Sequence, residues 1–187
     1  MNWASFIGAC ALAAAAGSLA SDRIFAEGAG GVMSDRVQIE LRGSITPRCA
    51  FQNIASSLDL GVIPDSDASG EKRLDFQISC NAPFAYGLSS EGGAMGRDDG
   101  AEGAGGFLTQ FPYRAALTIL MDDGTSLTTT CQSQELGALP GLCQWQSGER
   151  TAIDRAASLT VSWGPIEGRL AAGRYSGSLQ ISLGIAN

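Results

Sequence analysis

An all-β sandwich is the fold class that this 187-residue sequence predicts, and three observations predict it. Several runs alternate apolar and polar residues at period two. In the first, Val37, Ile39 and Leu41 alternate with Gln38, Glu40 and Arg42; in another, Leu74, Phe76, Ile78 and Cys80 alternate with Asp75, Gln77 and Ser79. That period is the pattern of a strand with one buried and one wet face. Clusters of Gly, Pro, Asp and Ser divide these runs at short intervals, as turns do. After residue 26, no segment carries a helical period of useful length. Seven or eight short strands joined by turns make a sandwich, and the length suits one domain with a real core.

Taken in order, the chain divides into residues 1–26, 27–36 and 37–187. The apolar run FIGACALAAAA (residues 6–16) has the length of a signal-peptide core and is too short to span a bilayer. Small residues then offer cleavage after Ala20 or Ala26, and Cys10 falls inside the discarded segment. No Lys or Arg precedes the apolar run, a departure from the usual signal pattern. Residues 27–36 (EGAGGVMSDR) are a Gly-rich, flexible extension.

The strand beginning at Val37 bends near Gly43-Ser44 and resumes at Ile45. A short strand at Leu58–Ile63 precedes the clearer one at Leu74–Cys80, and Phe84–Ser89 supplies another. Residues 91–106 (EGGAMGRDDGAEGAGG) read as one solvated loop, since little in them offsets the entropy of ordering. Its acidic residues lack the D-x-D-x-D-G spacing of an EF-hand calcium loop. Arg114–Met121 and Ser126–Cys131 form a hairpin around Asp122-Asp123-Gly124. Residues between Cys131 and Cys143 form a looped excursion. Leu159, Val161 and Trp163 mark a further strand. In the final run, Tyr175, Leu179, Ile181, Leu183 and Ile185 share one face.

Composition excludes several functions. The formal net charge is −7, and Lys72 is the sole lysine, so the clustered cations that phosphate backbones require are missing. The sequence has no histidine, which removes the commonest general base and metal ligand. GxSxG does not occur, and Asp122-Asp123 reads as a solvated hairpin corner rather than an acid/base pair. No catalysis and no cofactor are therefore expected. Trp163, on an alternating strand, reads as core; Trp145, beside Cys143, suits core or sugar stacking equally.

Setting Cys10 aside leaves Cys49, Cys80, Cys131 and Cys143, an even number that in an exported chain implies disulfides. Four cysteines permit three pairings, and the sequence alone leaves them open. The favoured pairs are Cys49–Cys80 and Cys131–Cys143, for which chain entropy gives roughly 3–4 and about 3 kcal/mol. A zinc site is the rival reading, but neither CxxC spacing nor histidine supports it.

A resemblance emerges from these segments together. The run LRGSITPRC, the short LDLG and ISCNAPFAYGLS are similar to exported pilin-like subunits. The ending LAAGRYSGSLQISLGIA resembles the "aGtYsdtvtvtv" ending of the spore coat U family, subunits of archaic chaperone–usher fimbriae. This resemblance implies an incomplete, immunoglobulin-like sandwich that lacks its last strand, leaving a groove. A periplasmic chaperone fills that groove first, and the N-terminal extension of the next subunit then replaces it, with an outer-membrane usher directing assembly. Partners are then neighbouring pilus subunits, with no nucleic acid and no stable membrane insertion; the destination is the periplasm and then the cell surface.

A donor strand needs apolar side chains at every second position, and Val37, Ile39 and Leu41 supply them. The same run equally suits an ordinary edge strand. The acceptor groove would be lined by inward residues including Leu179, Ile181 and Leu183. The chain departs from the family pattern in its acidic glycine loop, its Cys131/Cys143 pair and the weak apolar content before Val37. One rival reading is a tip adhesin or carbohydrate-binding module using Trp145 and the acidic loop. An exported enzyme or inhibitor is disfavoured by the missing histidine.

Overall fold

The computed structural model describes residues 37–64, 67–100, 104–138 and 141–186. The expected signal segment, its cleavage positions and the expected extension to residue 36 lie outside these. Gly43–Asn187 forms one compact unit, and residues 37–42 belong to another. In chain order the strands are β1 (Cys49–Gln52), β2 (Gly70–Cys80), β3 (Phe84–Ser89) and β4 (Met95–Arg97). A 3-10 turn at Ala104–Gly106 leads to β5 (Phe107–Leu108), β6 (Gln110–Phe111), β7 (Arg114–Leu120) and β8 (Ser126–Gln132). The short helix α1 (Ser133–Ala138) and β9 (Gln144–Gln146) follow. The chain closes with β10 (Ala152–Trp163), β11 (Arg169–Leu170), β12 (Tyr175–Ser176) and β13 (Gln180–Ile185).

The fold is all-β, as the alternation predicts. Five strands form an antiparallel sheet in the order β1-β2-β10-β7-β8, and a second antiparallel sheet runs β13-β3-β9. Two smaller ladders, β12-β4-β6 and the parallel pair β11-β5, complete the set. Alternation and register explain the core together. Phe76 and Ile78, Leu159 and Val161, and Leu117 and Ile119 all point inward from the large sheet, with Cys131 beside them. Phe84, Tyr86 and Leu88 of β3 are buried in the same cluster. Each such side chain contributes on the order of 1.5–3 kcal/mol by leaving water. The opposite face of the large sheet carries hydroxyls, and Thr118 hydrogen-bonds Thr128 across the ladder at 3.1 Å.

Several local expectations need correcting. Residues 37–48 form no strand, so the alternating run Val37–Leu41 has no ladder partner among the described residues. Leu58–Ile63 is also irregular, although Leu58, Leu60 and Ile63 still pack against the core. The acidic loop is partly built, because β4 pairs with both β6 and β12, and Arg97 Nε donates to Asp99 Oδ1 at 2.6 Å. The terminal run is two strands, broken between Ser176 and Gln180. The Cys131–Cys143 excursion contains α1, too short to declare a helical period. Glu135 accepts the Gln132 N–H at 2.7 Å across its first turn, and Ser133 Oγ accepts the Tyr113 N–H at 3.2 Å, tying that turn to the residue before β7.

Candidate functional site: an open seam between two edge strands

The strands β1 and β13 approach each other, with Cα atoms within 8 Å, yet share no ladder. Among the described residues each is paired on one side only, β1 with β2 and β13 with β3. An edge strand offers a row of backbone donors and acceptors to any chain that can lie beside it. Here two such edges face one seam.

The apolar layer thins toward that seam from both sides. On β13, Ile181 stands opposite Leu88, Leu183 opposite Tyr86 and Ile185 opposite Phe84. The β3 residues of these pairs are buried, whereas Ile181, Leu183 and Ile185 are only half-buried. On β1, Phe51 stands opposite Ile78 and meets Phe76 edge-on at 6.0 Å, again half-buried beside a buried partner. Of the predicted groove residues, Ile181 and Leu183 therefore belong to this row. Leu179 lies just before β13 and packs on the core from there. Phe51 was not foreseen, because four residues of β1 are too few to show alternation.

A four-residue strand needs anchors, and β1 has them at both ends. Cys49 is directly opposite Cys80 and bonded to it, with the Cα atoms 4.1 Å apart. Just before it, Asn81 Oδ1 accepts the Arg48 N–H at 2.8 Å, and Asn81 Nδ2 donates to the Thr46 carbonyl at 3.2 Å. At the far end, Gln52 Nε2 donates to Asp154 Oδ1 at 2.9 Å. Asp154 sits in a β-bulge of β10 with φ of 51°, a left-handed conformation that Asp tolerates better than most residues. Hydrogen bonds from Ser79 and Gln52 hold its carboxyl below the usual range.

The same bulge is braced from behind by Asp122. This carboxylate accepts from Arg155 Nε at 2.6 Å, Thr151 Oγ1 at 2.7 Å and the Ile153 N–H at 3.1 Å. Desolvation alone would raise its pKa, but those hydrogen bonds outweigh it and the carboxyl lies below its ordinary value. Asp123 caps the turn itself, accepting the Thr125 N–H at 2.9 Å. The hairpin expected at Asp122-Asp123-Gly124 is present, and its first aspartate is committed to the bulge rather than solvated.

Both favoured disulfides form, the second joining Cys131 to Cys143 across 12 positions. Two disulfides fit an oxidising, exported environment. Among the described residues, Cys131, Glu135 and Cys143 form the one group with metal-ligand proximity, but its sulfurs are bonded to each other. No described helix is long and apolar enough to cross a membrane.

Both tryptophans are half-buried and pack against the core, as expected for Trp163 and as one of the two readings left open for Trp145. Trp145 pairs with Tyr86 across the β3–β9 ladder and stacks on it, centroids 5.9 Å apart and planes 28° apart. It extends the inner layer and is not set out on a loop for a sugar. Trp163 stands at the open end of β10, against Phe111 at 6.0 Å, and lines a cleft.

Val37, Ile39 and Leu41 are 79%, 76% and 89% exposed, and Glu40 and Arg42 between and beyond them form a surface ion pair at 2.8 Å. Among the described residues this alternating apolar run belongs to no ladder. No protein-family model matches the chain, and no curated protein matches it.

Proposed function

We propose that this protein is an exported structural subunit of a fimbria, assembled by the chaperone–usher route through donor-strand exchange, without catalysis. The observation that carries this reading is the seam between β1 and β13. It combines two unpaired edges with a half-covered apolar row of Phe51, Ile181, Leu183 and Ile185. A strand laid against either edge would hydrogen-bond it and plug the row with every second side chain, and where β1 and β13 lie within 8 Å, less than about two strand spacings, they would part to admit it. The exposed run Val37–Ile39–Leu41 has that spacing. It has no ladder partner among the described residues, and in this reading a neighbouring subunit accepts it. In this reading the sandwich is of the incomplete, immunoglobulin-like kind, and a periplasmic chaperone guards the seam until an outer-membrane usher exchanges it. The resemblance to spore coat U subunits supports the same assignment.

The test is complementation in trans. A synthetic peptide spanning residues 35–45 should raise the melting temperature of the purified exported protein and suppress its self-association. The same peptide carrying Ile39→Asp should do neither. A monomer that unfolds cooperatively and is indifferent to both peptides would overturn the proposal.

A further inference from the structure

Away from the seam, two adjoining cavities of about 590 and about 400 Å³ share Pro112, Gln134 and Pro165 in their walls. Both are open depressions on the surface rather than enclosed cavities. The floor is bare backbone. A Cβ on Gly93 would come within 2.7 Å of the Ser133 carbonyl oxygen, and one on Gly137 within 2.7 Å of the Gly93 nitrogen. The chain therefore uses glycine at both positions to lay the 92–94 segment directly on α1.

Exposed carboxamides line both depressions: Gln110 and Gln134 the one with the glycine floor, Gln132 and Gln134 the other. Trp163 joins the two prolines as a flat apolar wall. Its ring lies over Gly70, its ladder partner, where a Cβ would sit 2.5 Å from the indole. That wall is set before any ligand arrives. Charge in the cleft is balanced, with Arg114 in one cavity and Glu167 in the other.

From this arrangement we infer that the cleft binds a neutral saccharide. Sugar hydroxyls donate and accept at once, and carboxamides do the same. The C–H face of a pyranose matches an indole or proline surface. A phosphorylated or sulfated ligand needs clustered cations, and the cleft has one arginine offset by a glutamate. A wholly apolar ligand would strip water from three amides without replacing their hydrogen bonds. None of its lining residues belongs to β1 or β13.

The experiment is a glycan array of neutral, sialylated and sulfated oligosaccharides, probed with the disulfide-intact exported protein and followed by calorimetric titration of the hits. Neutral glycans should bind, and Gln110→Ala and Gln134→Ala should each weaken binding about tenfold, as expected for one lost polar contact. Both glutamines are exposed, so melting temperatures should not change. No neutral glycan binding at millimolar concentration would overturn the inference. So would binding confined to anionic glycans, or binding indifferent to both substitutions.

Discussion

Gln52 and Asp154 are 102 positions apart in the sequence and share a 2.9 Å hydrogen bond that ties the end of β1 to the bulge of β10. With the Cys49–Cys80 bond at the other end, it holds a four-residue edge strand in place beside the seam. Asp154→Asn keeps a side chain that tolerates positive φ and retains an acceptor oxygen, so its melting temperature should fall little. Asp154→Val loses the acceptor and strains the backbone, and should melt several degrees lower. Equal melting of the two variants would show that the clamp is not holding β1.

Acid should loosen the same corner. Asp122 and Asp154 both have folded-state pKa values below the unfolded carboxylate value of about 3.9. A depressed carboxyl contributes stability that is fully present above its unfolded pKa and is lost as pH falls through the folded one. Melting temperature should therefore be flat near neutrality and drop below about pH 4. Asp122→Asn should start lower at pH 7 and fall less steeply over that acid range, as read by circular dichroism melts at successive pH values.

The two disulfides should differ in worth. Bridging 31 positions, Cys49–Cys80 should contribute about 3.5–4 kcal/mol by constraining the unfolded chain; Cys131–Cys143, bridging 12, about 3. Paired Cys→Ser variants, unfolded in guanidinium under oxidising conditions, give both values directly. Loss of the first should also raise exchange of the β1 amides, since that strand has only one ladder among the described residues.

Gly93 is constrained twice, by a φ of +74° and by the Ser133 carbonyl where a Cβ would go. Gly93→Ala should cost roughly 1–3 kcal/mol in a denaturant melt. Gly92 also has positive φ but open space around it, so Gly92→Ala should cost less. The difference between the two isolates the close approach from the backbone strain.

How much of this was legible depended on how local each cause is. Leu74–Cys80 and Phe84–Ser89 could be read because each contains enough residues to display period two, and their inward faces followed from it. The hairpin at Asp122-Asp123-Gly124 was equally local. By contrast α1 spans six residues and β9 three, below the length at which any period declares itself. Trp145 could not be placed from its neighbours, because what seats it is Tyr86, nearly sixty positions earlier in the chain. Val37–Leu41 was left between a donated strand and an edge strand of its own chain for a different reason. Alternation states that a segment is able to be a strand, but a ladder needs a partner, and this chain provides none among its described residues.

The amino-acid sequence by itself determined the all-β class, the inward faces of the longer strands, and the four cysteines available for bonding. These are consequences of side-chain order along a pleated backbone, where every second residue shares a face. Only the tertiary structure decided which cysteines meet, that Asp122 and Asp154 serve the bulge, and that β1 and β13 remain unpaired across a seam. Hydrophobic burial has no direction of its own, so it draws apolar faces together without choosing the neighbours. Those choices rest on directional hydrogen bonds and on register between strands distant in the chain, which no local pattern encodes.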